Sequence, residues 1–284
     1  MPDEAITQAK RGIAYLQKVI PTPEHSQLEL SLQITQGVAW LLKEGYASYN
    51  AMLCYERAEI LSTEVGDLSE LFPALAGLCS TYRLRAYLTK SLATGERMIR
   101  LAEQQQDSKL LAIAQINTGP TLIHMGRLVE ARYYLEAALA YKSSASSLVN
   151  LHTHAHDVTI MNHSYLAFTL GTLGYLAQAQ THTVAAIQRG QQLGHPNSHA
   201  FALFTALLVQ LLRRDPLQAA DYVTQLRVLA AQHESIHFWI DWLPPHLGWL
   251  ALAEGNFAQS LTFLHDWLPL ERLQGETVSP LTWQ

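Results

Sequence analysis

The sequence predicts an all-α fold: a right-handed superhelix (α-solenoid) of about six helix-turn-helix repeats with a period of about 40 residues. The first observation behind this is a set of residue pairs seven apart: Ala51/Ala58, Ser91/Met98, Ala131/Ala138, Ala179/Ala186, Ala219/Leu226 and Ser260/Trp267. Their first members stand 40, 40, 48, 40 and 41 residues apart, a regularity that marks internal repeats. Seven residues are about two helical turns, so each pair lies on one stripe and lets a partner helix approach closely. The second observation is a turn about five residues before each pair, clearest in GRLVEARYYLEAALA from Gly126 and GYLAQAQTHTVAAI from Gly174. Glycine suits the left-handed position that closes a helix. A helical hairpin of this kind cannot bury its apolar face alone, so neighbouring copies must stack.

In chain order, a leading helix of an incomplete repeat is expected over about Ala5 to Ile20, within residues 1–24, ended by Pro21 and Pro23. The next hairpin pairs Leu28 to Lys43 with Tyr49 to Val65, and its Gly45 to Ala51 spacing carries one extra residue. Leu71 to Ala86 then pairs with Lys90 to Gln105, where Arg85 and Ala86 replace the turn glycine. Leu110 to Met125 with Leu128 to Tyr141 forms the clearest copy. An inserted polar loop, 142–157, is rich in Ser and His and accounts for the interval of 48. The pattern resumes with Val158 to Leu173 and Ala177 to Gln191, then Ser198 to Arg213 and Leu217 to Gln232. It closes with His237 to Glu254 and Phe257 to Trp267. Pro196 and Pro216 fall at helix starts, whereas Pro244 and Pro245 should kink or split the helix that contains them. Residues 270–284 are expected as a C-terminal tail of one body spanning 1–284.

Composition narrows the function classes. Hydrophobic residues make up 49% and charged residues 15%, enough for a core and lean for a surface, which leaves room for apolar area covered by a partner. The net charge of −5 and the lack of a Lys/Arg stripe argue against nucleic-acid binding. Cys54 and Cys79 sit in apolar helical stretches and read as reduced core thiols. The first twenty residues lack a signal-peptide apolar run, and no stretch reaches the roughly 18 apolar residues of a membrane span. A cytoplasmic protein without membrane contact is the expectation.

The turn glycine, the alanine near the start of each second helix and another seven later resemble the tetratricopeptide repeat, with longer helices than its usual period of about 34 requires. An armadillo- or HEAT-like solenoid is the alternative. Three longer segments, from Tyr15 to Ser48, Leu68 to Leu88 and Leu193 to Pro216, resemble the helical-repeat region that follows the ATPase domain in large bacterial AAA-type regulators. Many of those regulators also carry a cyclase domain (adenylate or guanylate) or a kinase domain. The chain is also similar in style to the superhelical effector-binding domain of the maltose-operon transcription activator. The resemblance implies a non-enzymatic sensor and protein-interaction arm, with the ATPase, cyclase or kinase domains of a parent protein as partners. It brings no catalytic residue and no cofactor: the chain holds no phosphate-binding loop and no Gly-Lys pair. Where such regulators often read Tyr-Gly-Gln-Asp-Pro-Gly, this chain has His154-Ala155-His156-Asp157-Val158-Thr159, sharing only Asp157.

First helices line the concave face of tetratricopeptide arrays, and the corresponding positions are Thr35, Ala39, Arg83, Ile116, His124, Ser164, Phe168, Phe204, Leu208, Trp242 and Trp249. Their mixed polarity does not suit an acidic C-terminal peptide. It leaves a protein, a peptide or a small effector as the ligand, against plain packing. Aromatic residues gather late in the chain (Phe238, Trp239, Trp242, Trp249, Phe257, Phe263, Trp267), either as core of the last repeat or as interface anchors. Tyr82, Arg83 and Arg85 are expected as solvated helix-end residues, with anion binding the alternative. No metal is assigned. If one were held, its ligands would come from His152, His154, His156, Asp157 and His163, since alternating imidazoles suit zinc, copper or nickel. The plainer reading is a solvated loop whose Asp157 caps the next helix. Two other functions therefore stay open: an enzyme built on His152 to His163, and a scaffold or self-association module.

Overall fold

The computed structural model describes residues 2–20, 22–66, 68–141, 156–233 and 236–273, and the described residues are helical with no strand. Among the described residues fourteen helices follow one another: α1 (Pro2–Leu16), α2 (Pro23–Glu44), α3 (Tyr49–Val65), α4 (Leu68–Leu84), α5 (Leu88–Gln104), α6 (Ser108–His124) and α7 (Leu128–Ala140). After them come α8 (Val158–Thr172), α9 (Leu176–Leu193), α10 (Pro196–Arg213), α11 (Pro216–Gln232), α12 (His237–Asp241), α13 (Pro244–Ala253) and α14 (Phe257–Leu273). The chain divides into two compact units. One contains α1 to α6 and the last residues of α7 from Ala137; the other contains Leu128–Glu136 of α7 and α8 to α14. The division falls inside the copy that reads most clearly in sequence.

Within the first unit each helix from α1 to α6 packs on the next, and the alternate helices α2, α4 and α6 also touch in sequence. Within the second, α8 packs on α9 and α10, α10 on α11 and α12, α11 on α13, and α13 on α14. This is the stacking of helical hairpins that the repeat spacing implies, with the first helices of successive hairpins side by side. All twelve residues of the seven-apart pairs are buried, the least so Ser260 at 7% exposure. Ser91 shows why small polar residues are tolerated on that stripe. Its Oγ donates to the Cys79 carbonyl at 2.8 Å and meets Thr121 Oγ1 at 2.7 Å, tying α4, α5 and α6 together. Beside it, a Cβ on Gly95 would stand 2.4 Å from Thr118 Oγ1, so α5 and α6 touch backbone to side chain there.

The turns use one device. Residues with positive φ stand at 66, 86, 106 and 126, twenty apart, and again at 174, 194 and 214, with Gly255 after the last first-helix. At six of these turns the residue that follows donates its N–H to the carbonyl five residues back: Tyr87 to Tyr82, Asp107 to Ala102, Arg127 to Leu122, Tyr175 to Leu170, Asp215 to Gln210 and Asn256 to Ala251, at 2.8–3.1 Å. This bond satisfies a carbonyl that the helix end would otherwise leave open. The period of 40 is thus two helix-plus-turn modules of 20. Three of these positions carry side chains, Ala86 (φ 59), Gln106 (φ 53) and Arg214 (φ 56), all exposed. Left-handed backbone costs a non-glycine residue about 1 kcal/mol or more. Ala86→Gly, Gln106→Gly and Arg214→Gly are each expected to stabilise by about 0.5–1 kcal/mol, read as a higher urea midpoint with unchanged slope.

Several boundaries differ from the expected ones. α1 stops at Leu16, ahead of Pro21, and has no glycine to close it. Pro23 opens α2 with Thr22 as its cap, the Thr22 Oγ1 accepting from the His25 N–H at 3.3 Å, so that helix begins five residues early. Gly45 (φ 86, ψ 172) is not left-handed helical, and Ser48 caps α3 after the extra residue. The expected split at Pro244-Pro245 is present between α12 and α13. α14 runs on to Leu273, four residues into the expected tail, and 274–284 lie outside the described residues, as do 142–155 of the inserted loop. No described helix is long and apolar enough to cross a membrane.

Candidate functional site

In the first unit, Thr35 is exposed on α2 and its hydroxyl donates back to the Ser31 carbonyl at 2.9 Å. Ala39 and Ile116 are buried. Arg83 is not a solvated cation at a helix end: it is only 5% exposed, on a helix that packs against both α5 and α6. Burial first, and the Arg83 charge second, push the His124 imidazole down to about 3. His124 is therefore neutral, and its Nδ1–H donates to the Pro120 carbonyl at 2.8 Å. Tyr82 donates its hydroxyl to Glu56 at 2.8 Å. Arg85 is half-buried, donates to the Ala47 carbonyl at 3.0 Å, and lies over the rings of Tyr49 and Tyr87 at 5.3 and 5.7 Å. Cys54 and Cys79 are buried free thiols, pushed up to about 12 by burial, which makes them poor nucleophiles at neutral pH.

The second unit gathers more chemistry. Phe204 on α10 packs edge-on to His246 of α13 at 5.1 Å and against Trp239 of α12 at 5.3 Å. Trp239 meets Phe201 and Phe238, and Phe238 leads on to Trp242, whose ring lies 6.1 Å from Trp267. Trp239 and Trp267 are buried, Trp242, Trp249, Phe168, Leu208 and Phe263 half-buried, and Phe257 exposed. Ser164 is 1% exposed. The Ser164 Oγ and the Trp242 Nε1 are both shielded from water with no hydrogen-bond partner.

Of the histidine-rich segment, His152 and His154 lie outside the described residues. Its end is not solvated. His156 is buried, stacked on Phe201 at 4.6 Å, with its Nδ1 at 3.4 Å from the Asn197 amide, and Asn197 accepts from Trp239 Nε1 at 2.9 Å. Burial, with a smaller contribution from His195, pushes it down to about 3. Asp157 caps α8 as expected, accepting from the Ile160 N–H at 3.0 Å, but it too is buried. Its second oxygen pairs with Arg189 of α9 at 3.4 Å, and its N–H donates to Ser198 of α10 at 3.0 Å. One residue thus joins three helices, which is why the loop end is drawn inside. His163 meets His182 of α9. Among the described residues no three His, Cys, Asp or Glu side chains gather as a metal centre.

His246, Phe201 and Asn197 were missed in sequence because each pairs with a residue more than forty positions away, and His182 because its pairing with His163 on the neighbouring helix is a single contact with no repeat. No protein-family model matches the chain, and no curated protein matches it.

Proposed function

We propose that the chain is a non-enzymatic recognition module of the tetratricopeptide type, working as the sensor or interaction arm of a larger cytoplasmic signalling ATPase. The first helices α8, α10, α12 and α13 of the second unit would take a peptide or small effector. The observation that carries this reading is a set of shielded, unpartnered polar atoms on that row, among them Ser164 Oγ and Trp242 Nε1. A buried polar group left unmade costs about 1–3 kcal/mol, and a ligand that completes its bond recovers that amount on binding. Half-buried Phe168, Leu208 and Trp249 on the same helices supply apolar contact. The resemblance to the repeat arms of AAA-type regulators supports the placement in a signalling protein.

The test is a thermal-shift screen of metabolites and short peptides against the wild type and Trp242→Phe, which keeps the ring and removes the donor. A ligand expected on this reading raises the melting temperature of the wild type by several degrees and that of the variant by clearly less. Equal shifts in both proteins would place binding elsewhere.

A further inference from the structure

We infer that His163 and His182 form a binding site for one divalent transition-metal ion, held between their two Nδ1 atoms and suited by its geometry to Cu(II) or Ni(II). The two residues sit on α8 and α9, which pack against each other, and their Nδ1 atoms face one another at 2.9 Å. The rings are tilted by 33° with centroids 5.2 Å apart. An imidazole nitrogen binds such metals at about 2.0–2.1 Å, so two of them at a right angle stand about 2.9 Å apart and at a tetrahedral angle about 3.3 Å. The observed separation, that of the hydrogen bond between the two rings, also fits neighbouring positions in a square-planar or tetragonal shell, the preference of Cu(II) and Ni(II).

Two carboxylates act on the pair. Asp157 acts on His163 and Glu136 on His182, each raising the ring's affinity for positive charge. Arg189 and Arg132 are already paired with those two carboxylates. Burial, followed for His163 by the neighbouring His182, outweighs both, holding His163 down at about 4 and lowering His182, so each ring offers a neutral lone pair at neutral pH. Without metal, one ring donates its Nδ1–H to the other. On binding, that proton moves to the donor ring's own Nε2 and none is released, so affinity is flat with pH until the rings protonate. With two protein ligands, water fills the other positions, and binding is weaker than at three-ligand sites.

The test uses the chain stripped with EDTA and given one equivalent of Cu(II), with frozen-solution electron paramagnetic resonance and calorimetry. A tetragonal spectrum with two imidazole nitrogens is expected. His163→Gln and His182→Gln are each expected to weaken binding by at least about tenfold. The double variant His152→Gln/His154→Gln should bind as the wild type does. A second measurement needs no variant: Ni(II) should protect His163 and His182 from diethyl pyrocarbonate, located by mass spectrometry. Unchanged affinity in both single variants, loss of affinity in the double variant, or unprotected His163 and His182 would each overturn the assignment.

Discussion

Gly77→Ala is expected to lower the free energy of unfolding by about 2–3 kcal/mol, at the upper end of overpacking effects. Tyr55 on α3 is 1% exposed, and the tip of its ring lies against glycines on two other helices. A Cβ on Gly77 of α4 would stand 2.5 Å from Cζ and 2.6 Å from both Cε atoms, and a Cβ on Gly37 of α2 would stand 2.7 Å from Cε1 and Cζ. Retreat from α4 is blocked by α2, so the added methyl must separate packed helices instead of turning a free side chain. Tyr55→Leu should cost less in the Gly77→Ala background than alone, because the shorter side chain leaves room for the methyl. Urea unfolding of the four proteins of this cycle measures the coupling. A single-variant cost below about 0.5 kcal/mol would refute the ring's placement.

Acid is expected to open the second unit. His156 and His246 are buried and pushed down from 6.5 to about 3 and about 4, burial being the leading cause for each. Their folded-state values lie below the unfolded value, so the unfolded chain binds more protons, and stability falls as pH drops below 6.5. At pH 5 each histidine has withdrawn roughly 2 kcal/mol, which together is a large part of a typical domain's stability. Above pH 7 their contribution is constant. His163, His182, His195 and His199 shift the same way and add to the slope. Hydrogen exchange at pH 7 and pH 5 should show protection lost first in α10, α12 and α13, while the first unit, where buried His124 shifts the same way, loses less. Equal protection at both pH values would show that these rings reach water. His156→Phe should flatten the dependence of stability on pH by about one proton.

These two expectations differ in how far they could be read in advance. Gly77 and Gly37 stand in helices that the apolar periodicity marks plainly, yet nothing local says that one tyrosine ring meets both. The tyrosine lies on the intervening helix, and the contact exists only once α2, α3 and α4 have packed. The histidines were visible as a cluster around 152–163, and the structure divides the described part of that cluster. Asp157 goes to the cap of α8, His156 to an aromatic stack with residues more than forty positions on, and His163 to a partner on α9. Spacing along a loop says which side chains are near in sequence; the helices on either side decide which way each one faces.

By itself the sequence determined that this protein is helical, that its hairpins repeat every 40 residues, and which small residues line the seams, down to the buried pairs from Ala51/Ala58 to Ser260/Trp267. Those properties come from interactions within a helix and its next neighbour, which recur in register and so leave a periodic trace. It also marked Pro244 as a break, because a missing N–H acts locally. Only the tertiary structure decided that the chain forms two compact units, and that Gln106 and Arg214, beyond the Ala86 turn already legible in sequence, do a glycine's work at positive φ. It likewise decided that Arg83 is buried beside His124, and that His163 faces His182. The contacts of Arg83 and His163 depend on how individual side chains meet once the helices have packed, and such single contacts leave no period in the sequence.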